Sequence, residues 1–241
     1  MRALSAADVV GVWERGAEQH PVDRALTVLA ACSGDLREEL ERASIGRRDA
    51  GLMQVHEHLF GGEVRVYAEC PACSERLEYG VPIRELLAGP DHSEAEFTMT
   101  AGGLALRLRL PNSLDLAAIR QCADVASAGR ILAERCIVEA RSGDTPVPVP
   151  ALPEAVVDQA EACLAGADPR GEILIDLTCS ACQHSWQTML DIESLLWEKL
   201  SALAKRLLRE VHALAGAYGW READILAMSA TRREFYLELV S

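Results

Sequence analysis

Apolar and polar positions along this chain follow two periods, and the switches between them divide it into elements. From Ser5 to Gly62 apolar residues recur every three or four positions, as on one face of a helix. "SAADVVGVWERG" predicts a helix opening at an N-cap Ser5 and stopping at Gly16. "PVDRALTVLAACSG" predicts another, with Pro21 in its first turn, Gly34 at its end and Ala25, Leu26, Leu29 and Cys32 on one face. "IGRRDAGLMQVHEHLFGG" adds a third, striped by Leu52, Val55, Leu59 and Phe60. The acidic run "GDLREELERA" reads as a solvated helix face. The period then drops to two in "EVRVYAE" and "ERLEYGVPI", which predict two short strands. "EFTMTAGGLALRLRL" predicts a hairpin turning at Gly102 and Gly103.

Helical spacing returns after Ser113, the expected N-cap of helices carrying Leu116, Ile119, Ile131, Leu132 and Ile137 as far as about Ala140. "SGDTPVPVPALP" is a Pro-rich connector and the clearest internal boundary. Beyond it lie a helix in "EAVVDQAEACLAG", a strand in "EILIDLT" and a long helix from "DIESLLWEKL" to about Gly219. Two short helices, divided near Ser229, end the chain. The expected fold class is α+β and mostly helical. It is divided as residues 1–62 (helices), 63–145 (two hairpins and helices), 146–198 (connector, helix and hairpin) and 199–241 (C-terminal helices), in one compact unit.

The strands carry the chemistry. "VYAECPACSERLEYGVPIRELL" and "IDLTCSACQHSWQTMLDIESLL" each hold a Cys-x-x-Cys between two alternating stretches. Cys179 and Cys182 follow Cys70 and Cys73 at one common offset of 109 residues, which also carries Ile83 to Ile192, Leu86 to Leu195 and Leu87 to Leu196. A weak internal repeat of helix, knuckle hairpin and helix accounts for this. Two such tips facing one another supply four thiolates in a tetrahedral set, which suits one structural zinc per chain. The expected ligands are Cys70, Cys73, Cys179 and Cys182. A redox dithiol is the weaker reading, because each pair precedes a strand rather than a helix N-terminus.

Other motifs carry less. His184 reads as an exposed turn residue, and the "HEH" of His56 to His58 as solvent-exposed, since its two histidines diverge on a helix. His92 and Glu94 in "DHSE" resemble half of a deaminase signature, but no Pro-Cys-x-x-Cys follows them. Cys32, Cys122, Cys136 and Cys163 are expected in helices as small apolar residues. No Walker loop, dinucleotide fingerprint or nucleophile elbow is present.

Composition narrows the function further. A formal net charge of −13 argues against nucleic acid and against an anionic membrane surface. "MRALSAADVVGVWERG" places Asp8 and Glu14 where a signal peptide needs an unbroken apolar core, so a cytoplasmic location is expected and the eight cysteines are read as thiols or metal ligands.

Three segments, "GRRDAGLMQVHEHLFGGEVRVYAECPAC", "ILIDLTCSACQHSWQTMLDIESLLWEKL" and "LLREVHALAGAYGWREADILAMSATRREFYLEL", together resemble the T-even-type phage base plate proteins, the baseplate hub assembly chaperones. The resemblance implies a non-enzymatic role in building the hub of a contractile tail, in a phage, prophage or injection system. It implies hub or tail proteins as partners, with no small-molecule substrate, and work in the bacterial cytoplasm during assembly; retention in the finished baseplate stays open. Trp220, Phe235 and Tyr236 on the last helices are candidate partner contacts, with a small helical core as the alternative. The competing function is a metal-dependent or thiol-redox enzyme built on the paired cysteines.

Overall fold

Ser5 caps the first helix as the sequence predicts: its hydroxyl accepts from the Asp8 amide at 3.1 Å, and the Asp8 carboxylate accepts from the Ser5 amide at 3.0 Å. This computed structural model describes residues 2–88 and 96–240. His92 and Glu94 lie outside the described residues. Helix α1 (Ala6–Gly16) is followed by α2 (Pro21–Ser33), which ends where Gly34 takes a left-handed φ of 77°. The solvated helix α3 (Arg37–Arg42) has no fully buried residue and only rests Leu40 on the main core, and α4 (Ile45–Phe60) starts at an N-cap Ser44.

Strands β1 (Glu63–Glu69) and β2 (Arg76–Pro82) form an antiparallel hairpin that leads into the short helix α5 (Ile83–Leu86). Strands β3 (Glu96–Ala101) and β4 (Leu104–Arg109) pair as predicted, turning through Gly102 and Gly103. Helices α6 (Ser113–Ile119) and α7 (Val125–Cys136) come next. Strands β5 (Ile137–Ser142) and β6 (Thr145–Pro146) then complete a four-stranded sheet in the order β3-β4-β5-β6. After α8 (Glu154–Ala167), strands β7 (Leu174–Thr178) and β8 (Ser185–Met189) make a second two-stranded hairpin. The chain closes with α9 (Ile192–Tyr218), α10 (Glu222–Leu226) and α11 (Ala230–Glu238).

The molecule is thus mixed helix and sheet, 55% helical, with eleven α-helices among the described residues. Two apolar clusters fill it. The larger is threaded by α9, whose Ile192, Leu196, Leu200, Ala204, Leu207, Val211 and Leu214 form one continuous buried stripe. Helices α1, α2 and α4 pack on that stripe, and Val64, Val66, Ile83, Ile173 and Leu190 anchor the bases of both cysteine hairpins in the same cluster. The smaller cluster joins the four-stranded sheet to α7 and α8 through Leu106, Leu108, Ile137, Val157 and Ala160.

Four expectations are corrected here. Asn112, not Ser113, caps α6: its side-chain oxygen accepts from the Leu114 and Asp115 amides at 3.0 and 3.2 Å. Helix α7 ends at Cys136, and Ile137 to Ala140 belong to a strand, because Ile137 and Ala140 pair with Leu108 and Leu106 of β4 and bury their side chains there. Sheet pairing overrides the local helical pattern. The Pro-rich stretch is drawn into the same sheet: it turns at Gly143 (φ 57°), pairs as β6, and the Val147 amide donates to the Ala140 carbonyl at 2.8 Å. Cys122 lies in the link between α6 and α7 rather than in a helix, and it is half-buried.

Candidate metal centre

Each cysteine pair occupies a tight turn closed in the same way. In the first, the Cys70 amide donates to the Glu75 carbonyl at 2.9 Å and the Ser74 amide to the Cys70 carbonyl at 2.8 Å. In the second, the Cys179 amide donates to the His184 carbonyl and the Gln183 amide to the Cys179 carbonyl, both at 2.9 Å. Ser74 and Gln183, the residues just after each pair, take left-handed φ values of 59° and 61°. These two are the only left-handed non-glycine residues among the described ones. The strand registers correspond as well: Glu69 faces Arg76, and Thr178 faces Ser185.

The tips meet. The sulfurs of Cys70 and Cys182 lie 3.6 Å apart, those of Cys73 and Cys179 3.7 Å apart, and all four fall within 4.8 Å of one another. The first cysteine of each turn therefore faces the second cysteine of the other. Exchanging the two hairpins converts one contact into the other, as a two-fold relation requires. Cys70 and Cys179 are buried, while Cys73 and Cys182 form the exposed edge. A tetrahedral centre with metal–sulfur bonds of about 2.3 Å has sulfurs about 3.8 Å apart. The donor set fits a metal ion in both chemistry and spacing.

The protonation chemistry points the same way. Burial opposes ionisation of Cys70, but the amides of Ala72 and Cys73 and the adjacent thiols outweigh it and lower its pKa from 9.0 to about 7. The Glu75 amide favours the Cys73 thiolate, yet the thiols of Cys182, Cys179 and Cys70, together with burial, push Cys73 up to about 12. Cys182 is also raised, the pull of the His184 amide and the Cys73 thiol being outweighed. One thiolate forms readily, and Cys73 and Cys182 resist a second negative charge. A bound cation removes that resistance.

Contacts between the hairpins, which the sequence alone did not reveal, hold the tips in place. The Tyr79 hydroxyl of β2 donates to the Thr178 carbonyl of β7 at 2.9 Å, and its ring meets Trp186 of β8 edge-on. His184 is exposed, as expected, and stacks on Trp186. An aromatic residue a few positions after each Cys-x-x-Cys was the available signal. His56 departs from expectation. It is fully buried, its Nδ1 sharing a hydrogen bond with the Gly61 carbonyl at 3.2 Å and its Nε2 one with Lys199 Nζ at 2.9 Å. Burial and the Lys199 charge hold its pKa below the usual value. His58 on the same helix is exposed.

The three C-terminal aromatics sit apart from the cysteines and largely against one another. Trp220 stacks on Tyr218 with centroids 4.4 Å apart, and Tyr236 meets Trp220 edge-on at 4.9 Å. Trp220 and Tyr236 are half-buried against the main core, whereas Phe235 is 58% exposed.

No protein-family model matches the chain, and no curated protein or solved structure matches it either. No helix among the described residues is long and apolar enough to cross a membrane.

Proposed function

We propose that the four cysteines hold one structural zinc, and that the protein acts by protein–protein contact in assembling the hub of a contractile-tail baseplate. The observation that carries the metal assignment is the closed set of four thiols at tetrahedral spacing. Such a set leaves no ligand position for substrate, as a catalytic zinc would need. The common offset of 109 residues, the matching turns and the two left-handed residues support descent of the two knuckles from one repeated unit. The baseplate role rests on the resemblance of the three quoted segments. It accords with an acidic chain whose exposed Phe235 adjoins the half-buried Tyr236, which itself meets Trp220. On this reading the partners are hub or tail proteins, the work is done in the bacterial cytoplasm, and there is no substrate. A thiol-redox enzyme draws no support from the turns, since each pair is followed by a strand rather than by a helix N-terminus.

Two measurements test the proposal. Metal analysis of protein purified under reducing conditions should give one zinc per chain, and Cys179→Ser should lose it together with much of the stability. Structural zinc supplies on the order of 10 kcal/mol in small metal modules. Zinc-free protein that is folded and equally stable would overturn the metal assignment. Co-expression with the hub and tail proteins of a contractile-tail system should give a complex with a hub subunit, and truncation after Ala217 should abolish that complex while leaving zinc in place. A panel of tail proteins with no binder would remove the assembly reading and leave the zinc standing.

A further inference from the structure

The four sulfurs of the clasp divide by exposure as well as by hairpin. Cys73 and Cys182 are exposed, whereas Cys70 and Cys179 are buried. Each exposed cysteine touches a buried one of the other hairpin: Cys182 lies 3.6 Å from Cys70, and Cys73 lies 3.7 Å from Cys179. Reversible thiol oxidation needs three things in one place: a thiolate, access for the oxidant, and a second sulfur that resolves the first product. Zinc binds cysteine only as thiolate, so the zinc proposed above, on which this inference rests, supplies the first. The exposed edge supplies the second, and the buried partners supply the third. The other four cysteines lack this set. Cys32 and Cys136 are buried in the two apolar clusters, and Cys122 and Cys163 are half-buried outside the group of four.

We propose that the clasp is a site of reversible oxidation, at which a peroxide replaces the zinc by two disulfides joining the hairpins, Cys70 to Cys182 and Cys73 to Cys179. The Cys73 thiolate attacks one oxygen of hydrogen peroxide. The O–O bond breaks, the departing hydroxide takes a proton and leaves as water, and Cys73 becomes a sulfenic acid. The Cys179 thiolate then attacks the Cys73 sulfur. An S–S bond forms, the S–O bond breaks, and a second hydroxide takes a proton to leave as water. The two electrons lost by the sulfur pair are the two gained by the peroxide. A second peroxide does the same at Cys182 and Cys70. Zinc keeps its oxidation state throughout and departs as the divalent ion once its thiolates are gone.

Two features favour bonds between the hairpins over bonds within each turn. The closest sulfur contacts named above run between the hairpins. A disulfide inside a Cys-x-x-Cys turn is also the kind that oxidoreductases form and surrender readily, whereas one between separately anchored elements resists reduction. The hairpins are anchored independently of their sulfurs. Val64 and Val66 of the first and Ile173 and Leu190 beside the second lie in the main core, and the Tyr79 hydroxyl donates to the Thr178 carbonyl at 2.9 Å. The tips therefore stay opposed when zinc departs, and oxidation exchanges one clasp for another instead of opening the molecule.

The test uses the full chain, purified with its metal under reducing conditions, freed of reductant and titrated with hydrogen peroxide. A chromogenic chelator follows the zinc, and a thiol reagent follows the sulfur. One zinc should leave each chain as four of its eight thiols disappear, and dithiothreitol with added zinc should restore both. Trypsin leaves the first cysteine pair in residues 66–76 and the second in residues 171–199. In alkylated, unreduced digests these two fragments should appear as one linked species. Mass-spectrometric cleavage between the cysteines of each pair should assign the bonds as Cys70 to Cys182 and Cys73 to Cys179. The oxidised chain should run as a monomer and melt above reduced chain stripped of its zinc. Separate fragments each closed on itself, a bond from Cys70 to Cys179, disulfides between chains, or zinc retained in excess peroxide would each overturn the inference. Protein that carries no zinc before any oxidant is added would instead overturn the metal assignment, so the two failures are distinct.

Discussion

Replacing Glu193 by glutamine should stabilise the protein above neutral pH and do little in acid. Glu193 sits in the first turn of α9, half-buried. Burial is the largest influence on its carboxyl, and the charges of Asp191 and Asp49 add to it; Arg48 and Arg24 offset only part, so the pKa rises from 4.5 to about 7. An acid with a folded-state pKa above its unfolded value costs nothing while both states are protonated, below about pH 4.5. The cost grows as pH rises from there to about 7 and is complete beyond it. That interval corresponds to an upper bound of roughly 3 kcal/mol, reduced by whatever solvent reaches the group. One effect runs the other way. A negative charge in a first helical turn gains about 0.3–1 kcal/mol from the helix dipole, which the neutral amide gives up. Burial outweighs the dipole, so Glu193→Gln should gain about 1–2 kcal/mol at pH 8 and nothing measurable at pH 4. Urea unfolding followed by circular dichroism, run on both proteins at each pH with metal present, reads the difference directly. Any loss of metal in acid affects both alike and cancels. A glutamine variant equal to or weaker than the parent at pH 8 would refute the reasoning.

Further outcomes follow from the packing and the turns. Leu200→Ala should cost about 2–5 kcal/mol, since this side chain is fully buried at the middle of the α9 stripe; a loss below about 1 kcal/mol in denaturant unfolding would mean the stripe is not the centre of the core. Gln183→Gly should keep the metal and leave stability unchanged or raise it by up to about 1 kcal/mol, because a left-handed φ of 61° strains any side chain. Gln183→Val should lower the melting temperature, and equal melting of the two variants would show that the turn relaxes away from that conformation.

Most helices and both cysteine hairpins were legible because their signals are local. Ser5, Gly34 and Ser229 mark ends through a cap or a left-handed glycine, and the α9 stripe repeats at helical spacing along most of that helix. The four clustered cysteines were legible because their two pairs stand at one common offset. What escaped depends on partners distant in sequence. Ile137 and Ala140 are strand residues only because β4 offers them a ladder. His56 continues the Leu52 face of α4, but its burial depends on Lys199, carried by a helix far along the chain. Arg48 looks like any charged residue of "IGRRDAG" until helices from three later segments close over it. The capping error at Ser113 is a matter of one residue: Asn112 offers an equally good acceptor in extended backbone, and the chain uses it.

The clasp also imposes an order on the making of the molecule. Cys73 leaves the ribosome long before Cys179, and at elongation rates of about 5–20 residues per second the first knuckle waits roughly 5–20 seconds for its complement. Through that interval a nascent chain can offer an arriving ion only two of the four sulfurs, and the proline-bearing first turn stands as an open half-site. Ile192, where α9 starts, lies ten residues beyond Cys182. The helix that threads the main core is therefore synthesised after all four clustered cysteines, so the two turns can meet before that core closes.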